Sequence, residues 1–172
     1  MLVTDFLLHC SNFYQIGRWL STNFLLAKYK GIMIRVFTDG GARGNPGRAA
    51  IGVFVTDNKN NTLYTLGKTI GVATNNVAEY SAVVAALSWL VENKEFVGKH
   101  KTIHFFLDSL LLVSQINGIF KIKNQHLLEF VYKIREKESQ INIPIRYFHV
   151  PREQNKKADK LVNMALDSNM LQ

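Results

Sequence analysis

Residues 32–52, IMIRVFTDGGARGNPGRAAIG, decide how the rest of the chain is read. An apolar run of Ile32, Met33, Ile34, Val36 and Phe37 ends at Thr38-Asp39. Glycine-rich chain (Gly40-Gly41, then Gly44-Asn45-Pro46-Gly47) separates it from a second apolar run. A carboxylate closing a buried strand must be paired or pay for its desolvation. Glycines beside it make sense where backbone turns sharply or lies close to something. A hairpin whose Asp39 caps its own turn is the plain alternative. Three carboxylates further along the chain weigh against it.

Outward from this stretch, Ala49 to Thr56 reads as a strand, Asp57 to Asn61 as a turn and Thr62 to Ile70 as a third strand, an antiparallel meander. Asn75 or Asn76 is expected to cap a long helix running to about Asn93. Lys101 to Leu107 is nearly continuous apolar sequence, as in a strand buried on both faces, and ends at Asp108. Ser109 caps a short helix that stops at Asn117-Gly118, and Asn124 opens another with Leu127, Val131 and Ile134 inward. Ile143 to Val150 is a fifth strand whose Pro144 suits a sheet edge. The last helix starts near Asn155 and buries Ala158, Leu161, Val162 and Ala165. The predicted order is β-β-β-α-β-α-α-β-α, an α/β mixed sheet with helices against it.

The 172 residues, 47% hydrophobic and 20% charged, suit one catalytic-size domain over residues 32–168. Lysine and arginine outnumber acidic residues, 21 to 13, which suggests a polyanionic partner. A single Cys10 excludes an intramolecular disulfide and fits a reducing interior, so a cytoplasmic location is expected. There is no CxxC or HExxH spacing for zinc. Residues 1–31 are rich in aromatic and aliphatic side chains and poor in charge, without a membrane-length apolar run or a secretory signal. Three readings stay open for them. The favoured one is an extension the domain does not need, with Met33 as the native start. The others are a docked helix presenting Phe13, Ile16, Trp19 and Leu20, and a membrane-surface helix.

Glu79 falls near the start of the first long helix, on a face continued by Val83, Ala86 and Leu90, so it is expected to point inward; a first-turn carboxylate serving the helix dipole is the alternative. Asp108 repeats the situation of Asp39, and Asp159 lies one turn into the last helix. Acids at the carboxyl ends of strands occupy the place where open sheets gather ligands. Gathered without a cation they would raise one another's pKa values. Mg²⁺ resolves this, because it binds through a few carboxylates, water and phosphate oxygens.

The blocks TDGGARGNPG (38–47), TNNVAEY (74–80), LDS (107–109) and REQNKKADKLVN (152–163), in this order, resemble the signature blocks of type 1 ribonuclease H, a resemblance covering about Ile32 to Leu166. It implies the RNase H-like fold, a five-stranded mixed sheet with three antiparallel strands first, and endonucleolytic cleavage of the RNA strand of RNA–DNA hybrids. It implies that Asp39, Glu79, Asp108 and Asp159 hold two Mg²⁺ ions, with Mn²⁺ as an alternative. Asp39 would touch both ions, Glu79 and Asp108 would help hold one, and Asp159 the other. The products would carry a 5′-phosphate and a 3′-hydroxyl. Gly40, Gly41, Gly44, Asn45, Asn75 and Asn76 match positions that contact the hybrid near the cut, where backbone can approach the 2′-hydroxyls. No small-molecule cofactor and no membrane partner are expected, and the protein is expected to be a monomer.

The chain departs from the best-known bacterial pattern in three places. Leu110 stands where a glutamine often follows the Asp-Ser pair. Gly118 to Asn124 leaves no room for the extra basic helix many members use to grip the duplex, so Lys121, Lys123, Arg43 and Arg48 are expected to supply more phosphate contacts. The histidine that assists turnover has no clear equivalent; Arg152 is favoured for that role over His149, and His9, His100, His104 and His126 are read as incidental. Two rival functions remain: an RNase H-like module that binds nucleic acid without cutting it, and another nuclease or strand-transfer enzyme on the same architecture.

Overall fold

The computed structural model describes residues 33–168, so the expectations for residues 1–31 lie outside the described residues. Strand β1 (Met33–Gly44) forms a hairpin with β2 (Gly47–Thr56), and β3 (Thr62–Ala73) completes the meander. Helix α1 (Asn75–Glu92) and a short α2 (Lys94–Val97) lead to β4 (Thr102–Leu107). Helices α3 (Leu110–Ile116) and α4 (Gln125–Ser139), strand β5 (Ile145–His149), a 3-10 turn (Arg152–Gln154) and α5 (Lys156–Ser168) follow. The sheet order is β3-β2-β1-β4-β5. The meander is antiparallel, while β1–β4 and β4–β5 are parallel. The expected five-stranded mixed sheet and the edge position of β5 are both present. No helix among the described residues is long and apolar enough to cross a membrane.

Local chemistry accounts for most boundaries. All six residues of β4 are buried, as its nearly continuous apolar run requires, Thr102 and His104 included. Ser109 accepts a hydrogen bond from the Leu112 amide and Asn124 from those of His126 and Leu127, so both caps stand as read. The α1 cap differs: Thr74, in extended conformation, accepts from the Val77 amide, and Asn75 is the first helical residue. Its side chain turns instead to the β1–β2 hairpin. The short α2 and the 3-10 turn had no periodic signal long enough to read. Strand β5 begins after Pro144, which has no amide to donate; its carbonyl accepts from the Ile103 amide and the Thr102 hydroxyl.

The main core lies between the sheet and α1, α3 and α4, with Ile34, Val36, Tyr80, Leu87, Ile103 and Phe105 at its centre. Helix α5 packs on the opposite face, over β1, β2 and β3. Its close approach depends on Gly52, where a Cβ would lie 2.2 Å from the Ala158 carbonyl oxygen.

Candidate active site

Parallel pairing of β1 with β4 ends at Phe37 opposite Phe106. Two residues farther on come Asp39, still within β1, and Asp108, just past β4, so the register sets these acids side by side. At this point β1 has β2 on one side and β4 on the other, the kind of switch point where open sheets bind ligands. Asp39 does not close its strand, as the sequence suggested. It lies within β1, which continues through Gly44 because the glycines pair with β2.

Alternation sends Asp39 and Gly41 to the α5 face and Gly40 to the α1 face. Gly41 lies against Val162 of α5. Gly40 is buried against α1, and a Cβ there would meet Ala78 and Glu79 backbone. The missing side chain at Gly40 therefore serves helix packing. Glu79 is the fifth residue of α1, beyond the first turn, which removes the helix-dipole alternative. It accepts a hydrogen bond from the Ser109 side chain, beside Asp108. Asp159 is in the first turn of α5.

The electrostatics show these acids to be neighbours. Burial, then Asp108 and Asp159, raise Asp39 to about 6. Burial raises Glu79 to about 7 against the Ser109 hydrogen bond, with Asp39 and Asp108 adding to the rise. Arg152 donates to Asp159 Oδ1 at 2.6 Å, and its own pKa is raised by that bond. Asn163 donates to the other Asp159 oxygen at 3.2 Å. Among the described residues no three His, Cys, Asp or Glu side chains form a closed ligand cluster. Asp39 lies within Coulombic reach of each of the other three, without the four standing at shared-ligand distance. An all-oxygen donor set carrying uncompensated negative charge still fits a hard divalent cation that completes its shell with water and phosphate.

Of the expected substrate-contacting residues, Asn45 and Asn75 meet where the β1–β2 hairpin reaches the start of α1. The Asn75 amide donates to Asn45 Oδ1 at 3.1 Å, and Asn75 Oδ1 accepts from the Ala42 amide at 2.8 Å, tying the hairpin to the start of α1. Gly44 has φ +94°, a conformation that favours glycine, and the Asn45-Pro46 peptide is cis. Asn76 is exposed at the helix start. The basic residues divide. Arg43 pairs with Asp167 and Arg48 donates to the Leu166 carbonyl, both at the end of α5, whereas Lys121 and Lys123 are exposed after α3. His149 is exposed at the end of β5. His104 is buried within β4, its pKa pushed down to about 4 by burial and Arg146. Sequence reading missed Asn155 as anything beyond a helix start. Its Nδ2 donates to Thr38 O and to Asp108 Oδ1. The available signal was an asparagine four residues before Asp159.

Residues 37–165 match a family model described as reverse transcriptase-like. A bifunctional protein of Mycobacterium tuberculosis is 39% identical over 131 residues, 76% of this chain and 34% of that protein. The chain thus spans about a third of the length of the mycobacterial relatives it matches. Ribonuclease HI of Halobacterium salinarum is 34% identical over 138 residues, 80% of this chain and 66% of that protein. The structure of LC11-RNase H1, isolated from compost by a metagenomic approach, is 41% identical with a TM-score of 0.77, covering 81% of this chain and 99% of that one. The same protein in complex with an RNA/DNA hybrid matches with a TM-score of 0.74 at 41% identity, over 80% of this chain and 99% of that one. With its sheet order, its acids and these matches in agreement, this chain belongs to the reverse transcriptase-like family and, within it, to type 1 ribonuclease H.

Proposed function

We propose that this protein is an endonuclease that hydrolyses the RNA strand of RNA–DNA hybrids, acting as a monomer with two Mg²⁺ ions and leaving a 5′-phosphate and a 3′-hydroxyl. The reading is supported by the electrostatic coupling of Asp39 to Glu79, Asp108 and Asp159, near the point where β1 and β4 end their pairing. Type 1 ribonucleases H depend on divalent metal, and these four carboxylates are the residues that would hold it. When bound, the ions would supply Lewis acidity to an in-line displacement at phosphorus.

The chain's own groups do the rest. The β1–β4 register sets Asp39, within β1, beside Asp108, just past the end of β4. Glu79 is held by Ser109 and, without a cation, is raised to about 7; a bound divalent cation would hold it ionised. Arg152 sets a positive charge beside Asp159 and within reach of Asp39 and Asp108, where it can meet phosphate as well as carboxylate. Asn45, Asn75 and Asn76, at the hairpin and the start of the helix that carries Glu79, would offer backbone and amide groups to the minor groove of a hybrid. Lys121 and Lys123, in the segment between α3 and α4, would add phosphate contacts.

The test is incubation of the protein with labelled hybrid, single-stranded RNA and duplex RNA, each with Mg²⁺ and with EDTA. Cleavage of hybrid alone, lost in EDTA and in Asp39→Asn, supports the proposal. Hybrid binding without cleavage under all conditions would replace it with the non-cleaving module, and cleavage of all three substrates with a general nuclease.

A further inference from the structure

Asn155 stands at the start of α5 and is fully buried, 0% exposed. An asparagine there ordinarily turns its Oδ1 onto the first free amides of the helix. This one does not. Its backbone carbonyl accepts from the Ala158 and Asp159 amides, at 3.1 Å each, while its own φ of −104° and ψ of 10° lie outside the extended conformation of a capping residue. The side chain is directed across the sheet instead. Nδ2 donates to the Thr38 carbonyl at 2.9 Å and to Asp108 Oδ1 at 2.8 Å. Both partners are oxygens that accept only, so the amide orientation is determined: the reverse would set oxygen against two oxygens. Oδ1 is buried and finds no donor among the described residues.

A buried acceptor left without a donor costs free energy that a serine or aspartate capping the same helix would not incur. Helix capping therefore does not account for an asparagine here. The strand bridge does. One planar amide spans the carbonyl that precedes Asp39 and the carboxylate of Asp108, from the residue whose backbone starts the helix carrying Asp159. Three of the four acids are thus tied to one residue, two through its side chain and Asp159 through its backbone carbonyl.

We propose that Asn155 is a positioning residue. It holds the Asp108 carboxylate at the end of β4 in the rotamer that faces Asp39, and it locks α5 to both strands so that the cation site is assembled before substrate arrives. This rests on the ribonuclease reading of the site. Partners of this kind, when removed from metal ligands, cost about 10–100-fold in metal affinity or activity.

The test uses the full chain with Asn155→Ser and Asn155→Asp. Serine caps the helix but is too short to reach Asp108; aspartate keeps the shape and exchanges the donor for an acceptor. Thermal unfolding in EDTA reports folding, calorimetric titration with Mn²⁺ reports cation affinity, and steady-state cleavage of hybrid separates kcat from KM. The expected result is a folded Asn155→Ser protein with Mn²⁺ affinity and kcat each lowered at least tenfold and KM for hybrid within about twofold of wild type. A folded Asn155→Ser protein with wild-type Mn²⁺ affinity overturns the proposal, as does a loss seen only in KM. Should Asn155→Ser not fold, Asn155→Asp decides by the same titration, and failure of both to fold makes the residue structural and overturns the proposal. If wild type does not cleave hybrid, the functional reading falls, while the Mn²⁺ titration still judges Asn155 separately.

Discussion

Gly40 and Glu79 are in backbone contact: a Cβ on Gly40 would lie 2.2 Å from the Glu79 amide nitrogen. The strand carrying Asp39 and the helix carrying Glu79 thus touch with no side chain between them. Their spacing is set by main chain, which cannot yield as a rotamer can.

Gly40→Ala should therefore destabilise the protein by about 3 kcal/mol, the upper range for overpacking a close-packed site. Gly41→Ala is the control. It meets only Val162 Cγ1, at 3.3 Å, and a side chain can shift, so its cost should stay within about 1 kcal/mol. Urea denaturation of both variants in EDTA gives the comparison. Equal stabilities would contradict the backbone contact.

The pKa shifts give a pH dependence of definite sign. Folding raises Asp39 from 3.8 to about 6 and Glu79 from 4.5 to about 7. Within those windows the folded protein holds more protons than the unfolded chain, so these groups lower stability as pH rises. Below 3.8 they contribute no penalty, and above about 7 it is complete. In EDTA, Asp39→Asn and Glu79→Gln should melt higher than wild type at pH 8, and the difference should shrink toward pH 4. Parallel melting curves across that range would refute the shifts.

Divalent cation should reverse the penalty. At a Mg²⁺ concentration about 100 times Kd, binding to the folded state alone stabilises by about 2.7 kcal/mol. Wild-type Tm at pH 8 should rise with added Mg²⁺ and return when EDTA is added, in step with cleavage. Asp39→Asn should show neither the rise nor cleavage, despite its higher Tm without metal.

Arg152→Ala should separate stability from turnover. The Arg152 side chain is 74% exposed, so the Asp159 ion pair contributes at most about 1 kcal/mol to folding. Its charge beside the acids matters more for substrate and product. Steady-state kcat should fall about tenfold, equivalent to about 1.4 kcal/mol, the low end for a hydrogen bond to a charged group. A smaller fall in single-turnover cleavage would place the effect at product release. Unchanged kcat would remove Arg152 from the mechanism and turn attention to His149.

Much of this protein is written in local chemistry. The nearly continuous apolar run of β4, the caps at Ser109 and Asn124, and the turn at Asp57–Asn61 each depend on residues a few positions apart, so the chain order alone reveals them. The identities and order of Asp39, Glu79, Asp108 and Asp159 are likewise sequence facts, and so is the family they resemble. What depends on packing could not be read that way. Whether Asn75 capped α1 turned on the competition with Thr74, which its hydroxyl and extended backbone won. That Gly40 and Gly52 serve two helices on opposite faces, that Asp39 sits inside a strand, and that Asn155 bridges Thr38 to Asp108 all join residues distant in sequence. The raised pKa values of Asp39 and Glu79 belong to the same class, since burial and mutual repulsion exist only once the sheet and both helices close around them.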